Sequence, residues 1–172
     1  MPISLDEMSY TLELDTTGVP ADDKEQALET AGQVILNRVT EYLNGQNSPV
    51  SGGSYKKGLS KDYKKHKVAN GGKGIADLQF TDAMLNNLQI DTTRSSITFE
   101  LTEELQIKKG YNHNVGDTLP QREWLPDDSS GGKFKKRILD EAKEAINQFK
   151  RSSSTRFTVE ETDALRQFLE GL

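Results

Sequence analysis

The sequence predicts an α+β domain in which a small antiparallel sheet packs against two long amphipathic helices, with a long polar loop and extensions at both ends. Two observations carry this prediction. Apolar residues recur at helical spacing over residues 27–42 and again over 134–149. Between them, "LQIDTTRSSITFEL" has two alternating segments around a polar turn, which indicates a hairpin. The order helix, hairpin, helix favours helices on one face of an antiparallel sheet.

The N-terminal residues 1–20 are predicted to form a strand or an extended arm. In "MSYTLELDT", Tyr10, Leu12 and Leu14 alternate with polar residues. Whether this strand pairs within its own domain or reaches a neighbouring subunit stays open. The first long helix opens after Pro20, and Asn44 and Gly45 close it in the manner of a left-handed cap.

Residues 46–74 are predicted to form a long loop without an element, because glycine, serine, asparagine and lysine dominate and periodicity is weak. "IADLQF" is then a short strand or a turn of helix, and Thr81 caps a helical turn with Met84 and Leu85 inward. After the hairpin, a helix is expected through Lys109 and should end at Gly110. The prolines of "LPQREWLPDD" predict an extended segment.

The domain organisation is predicted as a core over residues 21–151, followed by a linker and a C-terminal helix over residues 152–172. The linker is "RSSSTR", and Thr158 and Glu161 then have capping-box spacing. This helix must dock on something, because a helix of ~15 residues is marginal alone in water. Its own domain and a neighbouring subunit both remain possible.

Composition limits the classes of function. The 172 residues carry a net charge of −5 and no cysteine, which excludes disulfides and thiolate zinc sites. The acidic start lacks a signal-peptide pattern, and no stretch approaches the ~20 apolar residues of a membrane span. We therefore expect a soluble protein, cytosolic when made.

The stretch "SGGSYKKGLSKDYKKHK" could hold a phosphate, lie on DNA, attract an acidic surface, or be a solvated loop. Gly53 and Gly58 have the glycine spacing of a phosphate-binding loop, but Leu59 and Ser60 follow where that loop needs a lysine. The two histidines, His66 and His113, lie far apart, and no nucleophile with a base is recognisable. We expect no enzyme activity, no cofactor and no metal.

Three segments together resemble the tail-completion and neck proteins of tailed bacteriophages, also described as virion morphogenesis or head-tail joining proteins. They are "SYKKGLSKDYKKHK", "ADLQFTDAMLNNL" and "KGYNHNVGDTLPQREWLPD", preceded by a helix that ends near "YLNGQ" and followed by an amphipathic helix. The resemblance covers about residues 44–151. The positions that carry it are Gly58, Leu59, Ser60, Tyr63, Lys67, Leu78, Thr81, Met84, Leu85, Tyr111, His113, Gly116, Pro120, Arg122, Trp124 and Leu125.

The resemblance implies a non-enzymatic virion protein that forms a homo-oligomeric ring, sixfold or twelvefold, at the neck or the head-proximal end of the tail. Its partners would be other neck, connector and tail tube or sheath proteins, with no membrane and with DNA contact only if it lines the channel. It would reside in the virion, and in the host cytoplasm during assembly. The alternative is a DNA- or nucleoprotein-binding module that uses the lysine-rich loop 56–67.

Candidate partner-interface residues come from the lysine loop and from the "YNHNVGDTLPQREWLP" segment. Arginine and tryptophan are the types most enriched at interface hot spots. For Arg122 a surface ion pair, and for Trp124 core burial, are the alternatives. The candidates are Lys56, Lys57, Tyr63, Lys64, His113, Arg122 and Trp124.

Overall fold

A computed structural model describes residues 4, 6–55, 58–76, 83–116, 119–127 and 131–151, and it confirms the predicted α+β fold. The described part of the chain contains three strands and five helices. In order they are β1 (Met8–Glu13), α1 (Lys24–Asn44), α2 (Lys61–Ala69), α3 (Ala83–Asn86), β2 (Leu88–Thr92), β3 (Ser96–Leu101), α4 (Glu104–Val115) and α5 (136–151).

The sheet has the order β1-β3-β2, with both pairs antiparallel. β2 and β3 form the predicted hairpin. β1 pairs with β3 from Met8 opposite Leu101 to Glu13 opposite Ser96, so the strand completes the sheet of its own chain. This pairing corresponds to the first of the two arrangements that the sequence left open.

One face of the sheet is apolar and forms the core. Tyr10, Phe99 and Ile90 lie side by side across the three strands, and α1 covers this face. Leu28 and Ile35 of α1 are fully buried, and each such side chain contributes roughly 1.5–3 kcal/mol. Both long helices are therefore confirmed, with the predicted faces inward.

Phe134, just before α5, connects the second long helix to the sheet. Its ring meets Tyr10 and Phe99 edge-on, with centroid distances of 5.3 and 5.8 Å. Ile138, Ala142 and Ile146 of α5 are buried behind it. Arg38 of α1 also pairs with Glu141 of α5, at a shallow groove of about 490 Å³ between the two helices.

The other face of the sheet is polar and is not part of the core. It carries a threonine pair whose hydroxyl oxygens are 3.0 Å apart, together with amide and carboxylate side chains, all exposed or half-buried. The three strands contain no lysine or arginine. We call this surface the polar sheet face and define it by Thr11, Glu13, Gln89, Asp91, Thr98 and Glu100.

Two element boundaries differ from prediction. Residues 46–74 contain the nine-residue helix α2, so the prediction of a loop without an element is wrong for Lys61–Ala69. α4 does not end at Gly110 but continues to Val115 and ends at Gly116, whose φ of 79° is left-handed. Gly45 after α1 has φ −80°, and the positive φ of 58° falls on Gln46 instead.

Some predictions fall outside the described residues. The "IADLQF" segment is described only as far as Ala76, and the cap expected at Thr81 is not covered. The helical turn after it is present as α3, with Met84 buried. The linker and C-terminal helix predicted over residues 152–172 also lie outside the described residues.

Candidate functional site

Segments from three parts of the chain meet around Arg122. This side chain is only 4% exposed, and it interacts electrostatically with Tyr55, Tyr63 and His113. Tyr55 precedes α2, Tyr63 lies on α2, and His113 lies in the last turn of α4. We call these four residues the arginine cluster. The sequence predicted three of them as candidates, but from two motifs about fifty residues apart along the chain.

Asn114 positions the segment that carries Arg122. Its Oδ1 accepts hydrogen bonds from the backbone N–H groups of Trp124 (2.8 Å) and Leu125 (3.0 Å), and its Nδ2 donates to the carbonyl of Leu125 (2.9 Å). The N–H of Arg122 donates to the carbonyl of His113, the residue before Asn114, at 2.6 Å. The last turn of α4 therefore fixes residues 122–125 as if it were a neighbouring strand.

Trp124 is the packing anchor of this segment. Its side chain is fully buried, and its indole N–H donates to the carbonyl of Gly110 at 3.2 Å. A Cβ at Gly110 would come within 2.6 Å of Met8 Sδ and 3.2 Å of Trp124 Cζ2. Gly110 is thus not a helix stop; it allows α4 to lie against both the sheet and the tryptophan.

The protonation states in the arginine cluster follow from burial. Burial and, to a smaller extent, the nearby Arg122 together lower the pKa of His113 to about 4, so the imidazole is neutral at pH 7. Burial also raises the pKa of Tyr55, whose hydroxyl donates to the carbonyl of Glu123 at 3.1 Å. Burial lowers the pKa of Arg122, against an opposing effect of Tyr55 and Tyr63.

At neutral pH the guanidinium of Arg122 therefore lies beside the neutral imidazole of His113 and the protonated hydroxyl of Tyr55. A buried cation that interacts with ring hydroxyl and imidazole groups can join segments of the chain in a defined geometry. The tyrosine of α2 completes the arrangement from outside, with its side chain 45% exposed. The cluster is thus the joint between α2, the end of α4 and the segment after it.

A buried lysine holds α2 against the molecule. Lys67 is 2% exposed, and its Nζ donates to the carbonyl of Ile75 at 2.9 Å. Its stem lies over Gly72, where an added Cβ would come within 2.8 Å of Lys67 Cγ. The hydroxyl of Ser60 caps the helix by accepting from the N–H of Tyr63 at 3.3 Å. The inward side of this helix is therefore made by a charged residue.

The outward side of α2 is basic. Its side chains at three lysine positions are exposed, and Asp62 is the one acidic residue in the helix. Val68 is 54% exposed, so apolar surface lies beside the charges. We call this surface the basic helix face and define it by Lys61, Lys64 and Lys65.

The predicted interface residues thus divide into three groups. Tyr63 and Lys64 are exposed and available to a partner, and His113 is partly buried. Arg122 and Trp124 are buried inside the chain, so their prediction as direct partner contacts is corrected: their surfaces are already covered by their own domain. Lys56 and Lys57 lie outside the described residues.

Sequence reasoning did not single out Asn114 or Tyr55. Asn114 stands in "YNHN", which reads as a group of turn formers, and nothing in its type distinguishes a buried clamp from a turn residue. Tyr55 lies beside lysines in the sequence, and a lysine-rich stretch indicates a charged surface and not a buried hydroxyl group. Only the fold brings them to residues 122–125.

The described part of the chain contains neither a candidate metal site nor a candidate membrane-spanning helix. Within it, no three histidine or carboxylate side chains are grouped so that they could hold a metal ion. Nor does any helix there have both the length and the apolar character that crossing a membrane requires.

Comparison with known proteins adds no family to these observations: no protein-family model, no curated protein and no solved structure matches the chain.

Proposed function

We propose that this protein is a non-enzymatic structural component of a tailed-phage virion, which forms a ring at the neck or at the head-proximal end of the tail. It would complete the tail and join it to the head. The proposal comes from the resemblance of residues 44–151 to that class of protein. The structure contributes a reason to treat the resembling segments as one unit.

The observation that supports the proposal is the convergence of two of those segments. "GLSKDYKKHK" supplies Tyr63, and "GYNHNVGDTLPQREWL" supplies His113 and Arg122, and these side chains interact in one cluster. Segments whose residues form a single joint have a shared structural role, which is what a common motif set requires.

The distribution of surfaces also suits a building block. The apolar sheet face is covered by α1, and Phe134 at the start of α5 packs against it. What remains outside includes the polar sheet face and the basic helix face, which carry opposite charge. Rings are built from heterologous contacts whose rotation closes, and these need two different complementary surfaces on each copy.

The test is assembly of the purified protein. Size-exclusion chromatography with light scattering, over a range of concentrations and without DNA, should give a discrete oligomer, and negative-stain images should show rings. Particles produced without this protein should have heads and tails that fail to join. A protein that stays monomeric at all concentrations, or virions that assemble normally without it, would contradict the proposal.

A DNA- or nucleoprotein-binding module is the second candidate, because the basic helix face places three exposed lysines beside an exposed tyrosine. Salt-dependent retention on DNA, lost when Lys61, Lys64 and Lys65 are changed to glutamate, would favour it. The matched control changes three exposed lysines elsewhere, Lys109, Lys133 and Lys143. Equal retention by both variants would leave the basic helix face without a specific role in DNA binding.

A further inference from the structure

We infer that the polar sheet face of one copy receives α2 of a second copy, so that each contact in the assembly joins two different surfaces of the same chain. The inference rests on the proposed function, since it names the surfaces that a ring of this protein would use. It follows from the charge, the shape and the exposure of the two surfaces.

The strand register places the carboxylates of the sheet on the polar sheet face. Asp91 is opposite Thr98, and Thr98 is opposite Thr11, so these three form a row across the strands. Glu100 and Glu13 lie on the same side at the two ends of the sheet. Because the three strands contain no basic residue, the only charged groups among the residues that define this face are the carboxylates of Glu13, Asp91 and Glu100.

The basic helix face has the opposite character. Lys61, Lys64 and Lys65 exceed the single carboxylate of Asp62, and all four side chains are exposed. Val68 follows Lys64 by one helical turn and is 54% exposed, which gives a partner apolar area to cover beside the lysines. Complementary potentials of this kind favour association and fix its register.

The dimensions of the two surfaces agree. Nine helical residues span about 13 Å at the usual rise per residue. The outer strands of a three-stranded sheet lie about 10 Å apart. The helix is therefore about as long as the polar sheet face is wide.

A contact within one chain does not account for these surfaces. Lys67 fixes α2 to the carbonyl of Ile75, and Tyr63 joins the arginine cluster, while Glu13 and Asp91 remain exposed. Because the two faces differ, two copies joined by one contact still have an unused polar sheet face on one copy and an unused basic helix face on the other. Such contacts form a ring if the rotation between copies closes and an open filament if it does not.

The test is a pair of charge-reversed proteins. The sheet variant carries Glu13→Lys, Asp91→Lys and Glu100→Lys; the helix variant carries Lys61→Glu, Lys64→Glu and Lys65→Glu. Each alone should associate at least about tenfold more weakly than the unmodified chain by sedimentation, a loss of about 1.4 kcal/mol. Mixed in equal amounts, they should associate again, because each meets its complement on the other.

Matched controls separate this effect from net charge and from misfolding. Reversal of three exposed acidic residues around the start of α1, Asp22 before the helix and Glu25 and Glu29 within it, should leave association unchanged. Circular dichroism should show the fold of each variant, and glutamine at the same positions gives neutral versions that weaken association without repulsion. A variant that does not fold is replaced by its neutral version in the same comparison.

The outcomes distinguish the inference from the proposed function. If the unmodified chain forms rings but the two reversed variants do so equally well, or if their mixture shows no recovery, the inference is overturned and the ring proposal is unaffected. If the mixture recovers but forms open chains, the contact is supported and the ring proposal fails. A chain that is monomeric even at low salt overturns both.

Discussion

Asn114 and Leu125 hold each other through two hydrogen bonds in opposite directions. The side-chain Oδ1 of Asn114 accepts from the N–H of Leu125 at 3.0 Å, while its Nδ2 donates to the carbonyl of Leu125 at 2.9 Å. A single amide side chain at the end of α4 thereby replaces the paired backbone groups of an adjacent strand. Because it is 4% exposed, water cannot replace these bonds easily.

Replacing Asn114 by alanine should lower the free energy of unfolding by about 3 kcal/mol or more. The change leaves two backbone N–H groups and one carbonyl without their buried partner, and each such group costs roughly 1–3 kcal/mol. Urea denaturation measures the loss. Asn112→Ala on the same helix is the control and should cost much less; equal losses would mean that the clamp contributes nothing special.

Gly110→Ala should destabilise the protein although alanine is the better helix former. The added methyl group would approach Met8 Sδ to 2.6 Å and Leu101 Cδ1 to 2.8 Å, and overpacking of this kind costs roughly 1–3 kcal/mol. Gly32→Ala in α1 is the comparison. Its nearest contact is 3.0 Å to the methyl end of Ile90, so the helix-propensity gain should offset most of the strain. Thermal melting of both variants decides this, and a Gly110 variant as stable as the Gly32 variant would contradict the packing argument.

Lys67→Ala should loosen α2 while leaving the core intact. The substitution removes the stem over Gly72 and the hydrogen bond to Ile75, which fix the inward side of this short helix. Hydrogen exchange at residues 61–69 should accelerate, with a change in global stability of no more than about 1 kcal/mol. Lys65→Ala, at an exposed position, should exchange like the unmodified chain. Similar exchange in both variants would show that Lys67 is not the anchor.

Acidification should destabilise the protein partly through His113. Its pKa is lowered from 6.5 to about 4 in the folded chain, so the unfolded chain binds the proton first as the pH falls. The contribution of His113 to the free energy of unfolding is therefore fully present above about pH 6.5. It is lost as the pH falls toward 4, by up to about 3 kcal/mol. Unfolding free energies between pH 7 and 4 should show a flatter dependence in His113→Gln than in His66→Gln. Parallel curves for the two variants would exclude this role.

The elements that could be predicted are those that bury apolar side chains at a regular spacing. In α1, β3 and α5 the inward positions are occupied by residues such as Ile35, Phe99 and Ile146, so periodicity in the sequence reports burial directly. The hairpin was predictable for the same reason, with its polar turn between two alternating segments.

Helix α2 and the end of α4 were not predicted, because neither follows from a regular spacing of buried apolar side chains. α2 turns a lysine inward, so its pattern of hydrophobicity carries no helical signal. α4 continues through Gly110 because a tertiary contact with Met8 and Trp124 needs a residue without a side chain there. The arginine cluster depends on interactions between segments that are far apart in sequence, and no local pattern describes them.

The pairing of Met8 with Leu101 also fixes the order in which the molecule can form during translation. β2 and β3 are joined by a short turn and can pair as soon as they leave the ribosome, whereas β1 must wait for a strand that is made much later. Closing so large a loop is slow compared with closing a hairpin. In the meantime the edge of β3 and the apolar side of β1, with Met8 and Tyr10, are both uncovered, and such nascent surfaces bind chaperones or aggregate. The yield of folded protein should therefore depend more on the fate of the first strand than on the stability of the finished domain.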